Sequence, residues 1–199
     1  MHLIERFLQE IDDVWSPAGS GRLRLCVLGS TALFLQTDYT RGTKDSDVLE
    51  TDEIRGDVRE RLITLAGRDT AMHQRHRMYF DIVGRGFPFL PADPLWHPLE
   101  GLSTSLRHFD VAALDITDVV VSKLARFHGD DRGDIAAMVE RGLVPHAFLI
   151  ERFLSAVERF QLDARSNRLP IFIKNLHRVE RDDFGVEGTD IDLPSWIGE

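Results

Sequence analysis

The pattern of apolar and polar positions predicts an α/β protein. Short apolar runs of strand length alternate with segments whose apolar residues recur at helical spacing. The predicted strands are residues 23–28, 45–49, 78–83 and 106–114. The predicted helices are residues 2–15, 31–36, 115–128, 145–160 and 169–181. Two more helices are predicted: one that Asp52 would cap and Gly67 would stop, and one that starts at Asp130. We therefore expect a small mixed sheet of four to five strands flanked by helices, with a helical C-terminal portion.

The same pattern predicts three parts in the chain. Residues 1–114 would form the core, residues 115–181 a helical portion packed on it, and residues 182–199 an acidic tail. Within the first part, residues 87–98 contain four prolines, which preclude a regular helix. We expect this stretch to be a loop that packs on the body, frames a pocket or contacts a partner.

Composition narrows the class of protein. Hydrophobic residues make up 43% of 199 residues, which is enough for a packed core. The single cysteine, Cys26, lies in an apolar strand pattern and fits a reducing compartment. Neither a membrane-spanning apolar run nor a signal-peptide pattern is visible, so the expected location is the cytoplasm.

Charge limits the choice of partners. A net charge of −9 disfavours non-specific binding to nucleic acid, so a nucleic-acid substrate needs a local basic patch. One basic concentration exists, and it could guide a phosphate-rich acceptor such as tRNA or form a solvated face. It comprises Arg68, His73, Arg75, His76, Arg77 and Arg85. The two histidines alone are not a convincing metal pair.

The candidate chemistry begins with Gly29-Ser30 and continues with Asp45-Ser46-Asp47. An apolar strand that ends in Gly-Ser predicts a sharp turn into a helix, whose backbone N–H groups suit phosphate. Side chains alternate along a strand, so Asp45 and Asp47 point to the same face. Two carboxylates on one face favour a divalent cation, and Mg²⁺ prefers such oxygen ligands together with a phosphate.

These residues resemble the signature of the DNA polymerase beta-type nucleotidyltransferase superfamily. The wider pattern is similar to the AbiEii-like minimal nucleotidyltransferases, many of which belong to bacterial toxin–antitoxin and phage-defence systems. The matching segments are Arg41-Gly42-Thr43-Lys44-Asp45-Ser46-Asp47, Val121-Ser122-Lys123-Leu124-Ala125-Arg126 and Asp130-Asp131-Arg132-Gly133-Asp134-Ile135. The spacing after Lys123 matches the family pattern only approximately.

The resemblance implies a role for further acidic residues. A third carboxylate on a neighbouring strand would complete a Mg²⁺ or Mn²⁺ site formed with Asp45 and Asp47, and would act as base toward the acceptor hydroxyl. Asp81 is the candidate because it interrupts an apolar strand, and Asp110 is its rival for the same role. The alternative for Asp81 is a strand residue that simply faces solvent.

Lys123 lies within the apolar arc of its predicted helix, so its ammonium must snorkel or find an anion. By resemblance it would reach the metal-bound triphosphate of a bound NTP, and Asp134 would hold Lys123 or Arg126 in place. The alternative is a structural ion pair. Thr43 and Lys44 flank the acidic strand and are candidate nucleotide-binding residues without an assigned role.

The expected function is Mg²⁺-dependent transfer of a nucleoside monophosphate from an NTP to an acceptor hydroxyl. The resemblance suggests a tRNA or protein acceptor and a cognate toxin or antitoxin protein as partner, with no membrane involved. A nucleotidyltransferase-like module that binds without catalysing remains the main alternative. A small-molecule nucleotidyltransferase of the antibiotic-modifying kind is a third possibility, because the net charge is compatible with cationic acceptors.

Overall fold

The computed structural model describes residues 3–16, 21–41, 45–86, 88–193 and 197. It contains a mixed sheet flanked by helices and followed by a helical region, which confirms the predicted fold class. The helices are α1 (Leu3–Val14), α2 (Gly29–Gln36), α3 (Gly56–Ala66), α4 (Ala71–His76), α5 (Glu100–Ser105), α6 (Ile116–Leu124), α7 (Gly129–Glu140), α8 (His146–Phe160) and α9 (Leu169–Val179). The strands are β1 (Leu23–Val27), β2 (Asp45–Leu49), β3 (Tyr79–Val83), β4 (Trp96–Pro98) and β5 (Phe109–Leu114).

The sheet has five strands in the order β3-β2-β1-β5-β4. The β1–β2 and β4–β5 pairs are antiparallel, whereas the β1–β5 and β2–β3 pairs are parallel. One face of the sheet carries the apolar side chains that pack with α1 and α3, among them Val27, Val48, Phe80 and Val111. Because side chains alternate along each strand, the polar residues between them face the other way.

The chain separates into two compact units. The first comprises Met1–Pro88 with Trp96–Leu114 and contains the sheet, and the second comprises Phe89–Leu95 with Asp115–Glu199. The short proline-rich stretch thus contributes residues to both units. Among the described residues, no helix is both long and apolar enough to cross a membrane.

Several predicted boundaries were wrong for identifiable reasons. Asp52 does not cap a helix, because α3 begins four residues later with Arg55 at its N-cap. Part of the proline-rich stretch forms β4, which pairs with β5 at the sheet edge, where proline is tolerated. The helix predicted at 115–128 ends at Leu124, and Phe127 beyond it has a left-handed backbone.

A buried charge cluster links α6 to α7 in the second unit. Lys123 is 3% exposed, and its ammonium lies 3.0 Å from Asp131 Oδ1 and 2.8 Å from Asp134 Oδ2. Arg126 adds a hydrogen bond of 2.9 Å from Nε to Asp131 Oδ2. The backbone N–H of His128 also donates to Asp131, which caps α7. Lys123 therefore has the buried anions that its position in the apolar arc required.

Replacing Lys123 by Met should destabilise the protein by roughly 3–5 kcal/mol, because it removes the cation between two buried carboxylates. The measurement is the free energy of unfolding from urea titration. Lys174→Met is the matched control, since Lys174 is exposed on α9 and should change stability by less than about 0.5 kcal/mol. Equal small effects from both substitutions would contradict the structural role of Lys123.

The cluster should also give the protein an acid-sensitive component of stability. Burial opposes the charged form of Asp131, but the hydrogen bonds from Arg126 and the charge of Lys123 outweigh it and hold the Asp131 pKa to about 2. Because this folded-state pKa is below the ordinary value of 3.8, the contribution is present above about pH 4 and is lost as pH falls toward about 2.

We therefore expect the unfolding free energy of the wild type to fall more steeply than that of Asp131→Asn between about pH 5 and about pH 2. The difference should approach roughly 2 kcal/mol. Urea titrations at several pH values would measure both slopes, and parallel pH profiles would show that Asp131 does not carry the effect.

Candidate active site

The bend between β1 and α2 brings the chain directly against the acidic strand. Gly29 has φ of +64°, a backbone conformation that glycine adopts readily and other residues rarely do. A Cβ atom at this position would overlap the Asp47 carboxylate oxygen Oδ2. The positive φ favours glycine here, and the close contact places the Asp47 carboxylate beside the bend.

Hydrogen bonds fix the bend to β2. The backbone N–H of Leu28 donates to the Asp47 carbonyl oxygen at 2.9 Å. The Thr31 hydroxyl, in the first turn of α2, donates to the Asp45 carbonyl oxygen at 3.2 Å. The start of α2 and both predicted metal ligands thus form one local assembly.

Arg41 contacts the bend from the loop that precedes β2. Its guanidinium NH2 donates to Ser30 Oγ at 2.7 Å, and Ser30 itself is 9% exposed. Arg41 lies close to the acidic motif in the sequence, where its role could not be assigned. The only signal available was a basic residue in the loop between Ser30 and Asp45. This contact places a positive group next to a helix N-terminus, an arrangement that favours anions.

Three aspartates share one face of the sheet. Asp45 and Asp47 are half-buried and alternate with buried Ser46 and Val48, which face the apolar side. Asp47 pairs with Asp81 in the parallel β2–β3 register, so the Asp81 side chain lies on the same face of the adjacent strand. Adjacent strands are about 4.8 Å apart, so Asp47 and Asp81 occupy neighbouring backbone positions on this face.

The position of Asp110 separates it from this group. It lies on β5, which β1 divides from β2, and its carboxylate pairs with Arg22 Nε at 2.9 Å. Asp81, in contrast, is exposed and makes no hydrogen bond or ion pair with a described residue. Of the two candidates for the third carboxylate, Asp81 is therefore the one that adjoins Asp47.

The donor atoms match Mg²⁺ in kind, although the described residues contain no ready-made cluster. In the part of the chain that the structure describes, no group of three or more His, Cys, Asp or Glu side chains is arranged to hold a metal ion. Mg²⁺ commonly binds to only one or two carboxylates and completes its shell with water and substrate phosphates. Asp45 and Asp47 could supply those carboxylates, and Asp81 stays a prediction as the third ligand.

The remaining predicted residues are Thr43, Lys44, Lys123 and Asp134. Thr43 and Lys44 fall outside the described residues. Lys123 and Asp134 lie in the second unit, where they form a buried ion pair, which was the alternative to a phosphate contact of Lys123. The contact of Lys123 with nucleotide phosphate therefore stays a prediction, and its charge already has carboxylate partners.

Comparison with known proteins identifies the family of this chain. Residues 5–173 match the model of a family described as "Nucleotidyltransferase of unknown function (DUF6036)". The chain belongs to this family. No curated protein and no solved structure gives a significant match. The nucleotidyltransferase part of the predicted resemblance is thereby confirmed, and the matched segment contains Gly29 and all three aspartates of the sheet face.

The contact between the bend and Asp47 can be tested by comparing two glycines. Gly29→Ala and Gly56→Ala both force alanine into a left-handed backbone, which costs about 1–2 kcal/mol. Gly56 has no atom within 4 Å of an added Cβ, so only Gly29→Ala should also displace the Asp47 carboxylate. We expect the Gly29 variant to be the less stable of the two by urea unfolding.

A double-mutant cycle isolates the steric part of this effect. In an Asp47→Ala background the added Cβ no longer meets a carboxylate, so the cost of Gly29→Ala should fall to that of Gly56→Ala. A cost of Gly29→Ala that does not depend on residue 47 would contradict the proposed close contact.

Proposed function

We propose that this protein transfers a nucleoside monophosphate from an NTP to an acceptor hydroxyl with the help of Mg²⁺ or Mn²⁺. The observation that carries the proposal is the meeting of the Gly29 bend with Asp47, whose neighbour across the strands is Asp81. Phosphate-binding backbone and metal-binding carboxylates are the two elements that phosphoryl-transfer sites require, since catalysis there is mainly positioning and electrostatic stabilisation.

The bend would hold the phosphates of the NTP. Backbone N–H groups at the start of α2 have no partner within the helix and point toward its N-terminal side. The helix dipole and the guanidinium of Arg41, which hydrogen-bonds to Ser30, add positive potential there. Gly29 and Ser30 have small side chains, so the backbone can approach the phosphate oxygens closely.

The sheet face that carries Asp45, Asp47 and Asp81, here called the acidic face, would bind the metal ion and contact the reacting groups. Asp45 and Asp47 would hold the divalent cation, which supplies charge neutralisation to the phosphates when bound. The oxygen of the acceptor hydroxyl would form a bond to the α-phosphorus while the bond from that phosphorus to the β-phosphate oxygen breaks. Pyrophosphate leaves with the electron pair of that bond. Asp81, which is exposed and adjoins Asp47, would accept the proton of the hydroxyl.

The biological setting rests on resemblance. Similarity of the three quoted segments to AbiEii-like proteins supports a toxin–antitoxin or phage-defence role, with a tRNA or protein acceptor and a cognate partner protein. A second candidate is a module that binds nucleotide without catalysis. The test below separates the two candidates.

Asp47→Asn should abolish transfer, because it removes a carboxylate charge from the cation site while keeping the shape of the side chain. The measurement is incorporation of α-labelled NTP into cell RNA or lysate protein with Mg²⁺, compared with a sample containing EDTA. We expect a loss of at least about a hundredfold, within the range seen for removed electrostatic groups.

Ser46→Ala is the matched control, since Ser46 lies between the two aspartates but faces the apolar side. Its hydroxyl is buried and has no hydrogen-bond partner among the described residues, so alanine should keep activity and not reduce stability. Transfer that survives in Asp47→Asn would refute the assignment. NTP binding by the wild type without any transfer would favour the non-catalytic module.

A further inference from the structure

A cavity of about 370 Å³ lies at the free edge of the sheet, next to Asp81. Its lining comes from β3, from α3 and from Arg68, two residues after the end of that helix. The lining residues are Arg59, Ile63, Arg68, Tyr79, Phe80, Asp81 and Ile82. β3 is the edge strand beside β2, so the cavity adjoins the acidic face on the side away from the Gly29 bend.

One of its two guanidinium groups is held in position. Arg68 NH2 donates to the Tyr79 hydroxyl at 2.8 Å, and the guanidinium carbon lies 5.1 Å from the centre of the Tyr79 ring. The Tyr79 ring in turn packs edge-on against His73 at 4.9 Å between centroids. The hydrogen bond to Tyr79 raises the pKa of Arg68, which stays charged. Most of its N–H donors remain available to a ligand.

The other guanidinium has no such partner. Arg59 is exposed, and within the described residues it makes no hydrogen bond or ion pair. The cavity therefore has two cationic groups and one carboxylate, in a chain whose net charge is −9. A local excess of positive charge in an acidic protein is what an anionic ligand requires.

We propose that this cavity is the acceptor pocket of the enzyme and that it binds an alcohol carrying a phosphate group. Arg59 and Arg68 would bind the phosphate, which leaves a nearby hydroxyl facing Asp81. The inference rests on the proposed function, because it assigns Asp81 as the group that the acceptor hydroxyl meets. Phosphate binding by guanidinium pairs is directional and often bidentate, so the pocket orients the acceptor as well as attracting it.

The same charges disfavour another class of acceptor. A polycationic small molecule, as in antibiotic modification, would meet two guanidinium groups beside a single free carboxylate. Like charges at this distance cost free energy unless an anion separates them. The pocket thus selects a phosphate-bearing acceptor, either the end of an RNA strand or a free mononucleotide.

The first experiment measures binding without NTP, so it does not depend on catalysis. A fluorescent oligoadenylate with a free 3′ hydroxyl is titrated with wild type and with Arg59→Gln/Arg68→Gln, and binding is followed by anisotropy at several salt concentrations. We expect the double variant to lose about tenfold in affinity at low salt, with a salt slope reduced by about one per arginine. Adenosine 5′-monophosphate as competitor distinguishes a mononucleotide from a strand end.

Arg6→Gln/Lys174→Gln is the charge-matched control, because Arg6 and Lys174 are exposed on α1 and α9 and do not line the cavity. It should bind like the wild type, and thermal unfolding should show that all variants are folded. Wild type that fails to bind either probe, or a double variant that binds as tightly as wild type, overturns the pocket assignment.

Kinetics separate this inference from the proposed function. With active protein, Arg59→Gln/Arg68→Gln should raise KM for the phosphorylated acceptor and leave KM for the NTP unchanged. Asp47→Asn should bind the oligoadenylate normally but transfer nothing. If Asp47→Asn loses transfer but the arginine variant has an unchanged KM for the acceptor, the pocket assignment is rejected and the proposed transferase activity is kept. If binding depends on the arginines but Asp47→Asn still transfers, the pocket assignment is kept and the proposed role of Asp47 in catalysis is rejected.

Discussion

The close approach of the Gly29 bend to Asp47 is the constraint on which the rest of the first unit depends. The strand β1 ends and turns into α2 at Gly29, where an added Cβ atom would meet the Asp47 carboxylate. This contact fixes where α2 begins relative to β2, and the Leu28 and Thr31 hydrogen bonds to β2 secure it. A helix N-terminus and a carboxylate are thereby kept together without any ligand. Such preorganisation lowers the cost of binding a phosphate and a cation.

One face of the sheet packs into the apolar core, and the opposite face carries the candidate catalytic aspartates. Val48 and Phe80 belong to the apolar cluster, whereas Asp47 and Asp81, each one residue away, share the opposite face. Strand alternation makes this division unavoidable, since a shift of register by one residue would exchange the faces. The buried and unpartnered Ser46 hydroxyl is a cost of this arrangement, because a polar residue between two aspartates points into the core.

Charge is handled differently in the two units. In the second unit Lys123 is enclosed by Asp131 and Asp134, so its charge is used inside the protein. In the first unit Arg59 and Asp81 are exposed and make no ion pair with a described residue, although both line one cavity. Buried charges require partners to offset their desolvation, whereas exposed charges at a cavity remain available to ligands. The contrast explains why we assign ligand binding to the cavity arginines.

The sequence alone was sufficient for the fold class, for most strands and helices and for the placement of Asp45 and Asp47 on one face of a strand. These features depend on local periodicity, which can be recognised in the sequence without knowledge of distant contacts. It could not locate β4, because that short strand exists only through pairing with β5. Nor could it choose between Asp81 and Asp110, since each interrupts an apolar strand and only the strand order places Asp81 beside Asp47. The contact of Arg41 with Ser30 and the cavity around Arg59 likewise join residues far apart in the chain, and tertiary structure alone decides which of them meet.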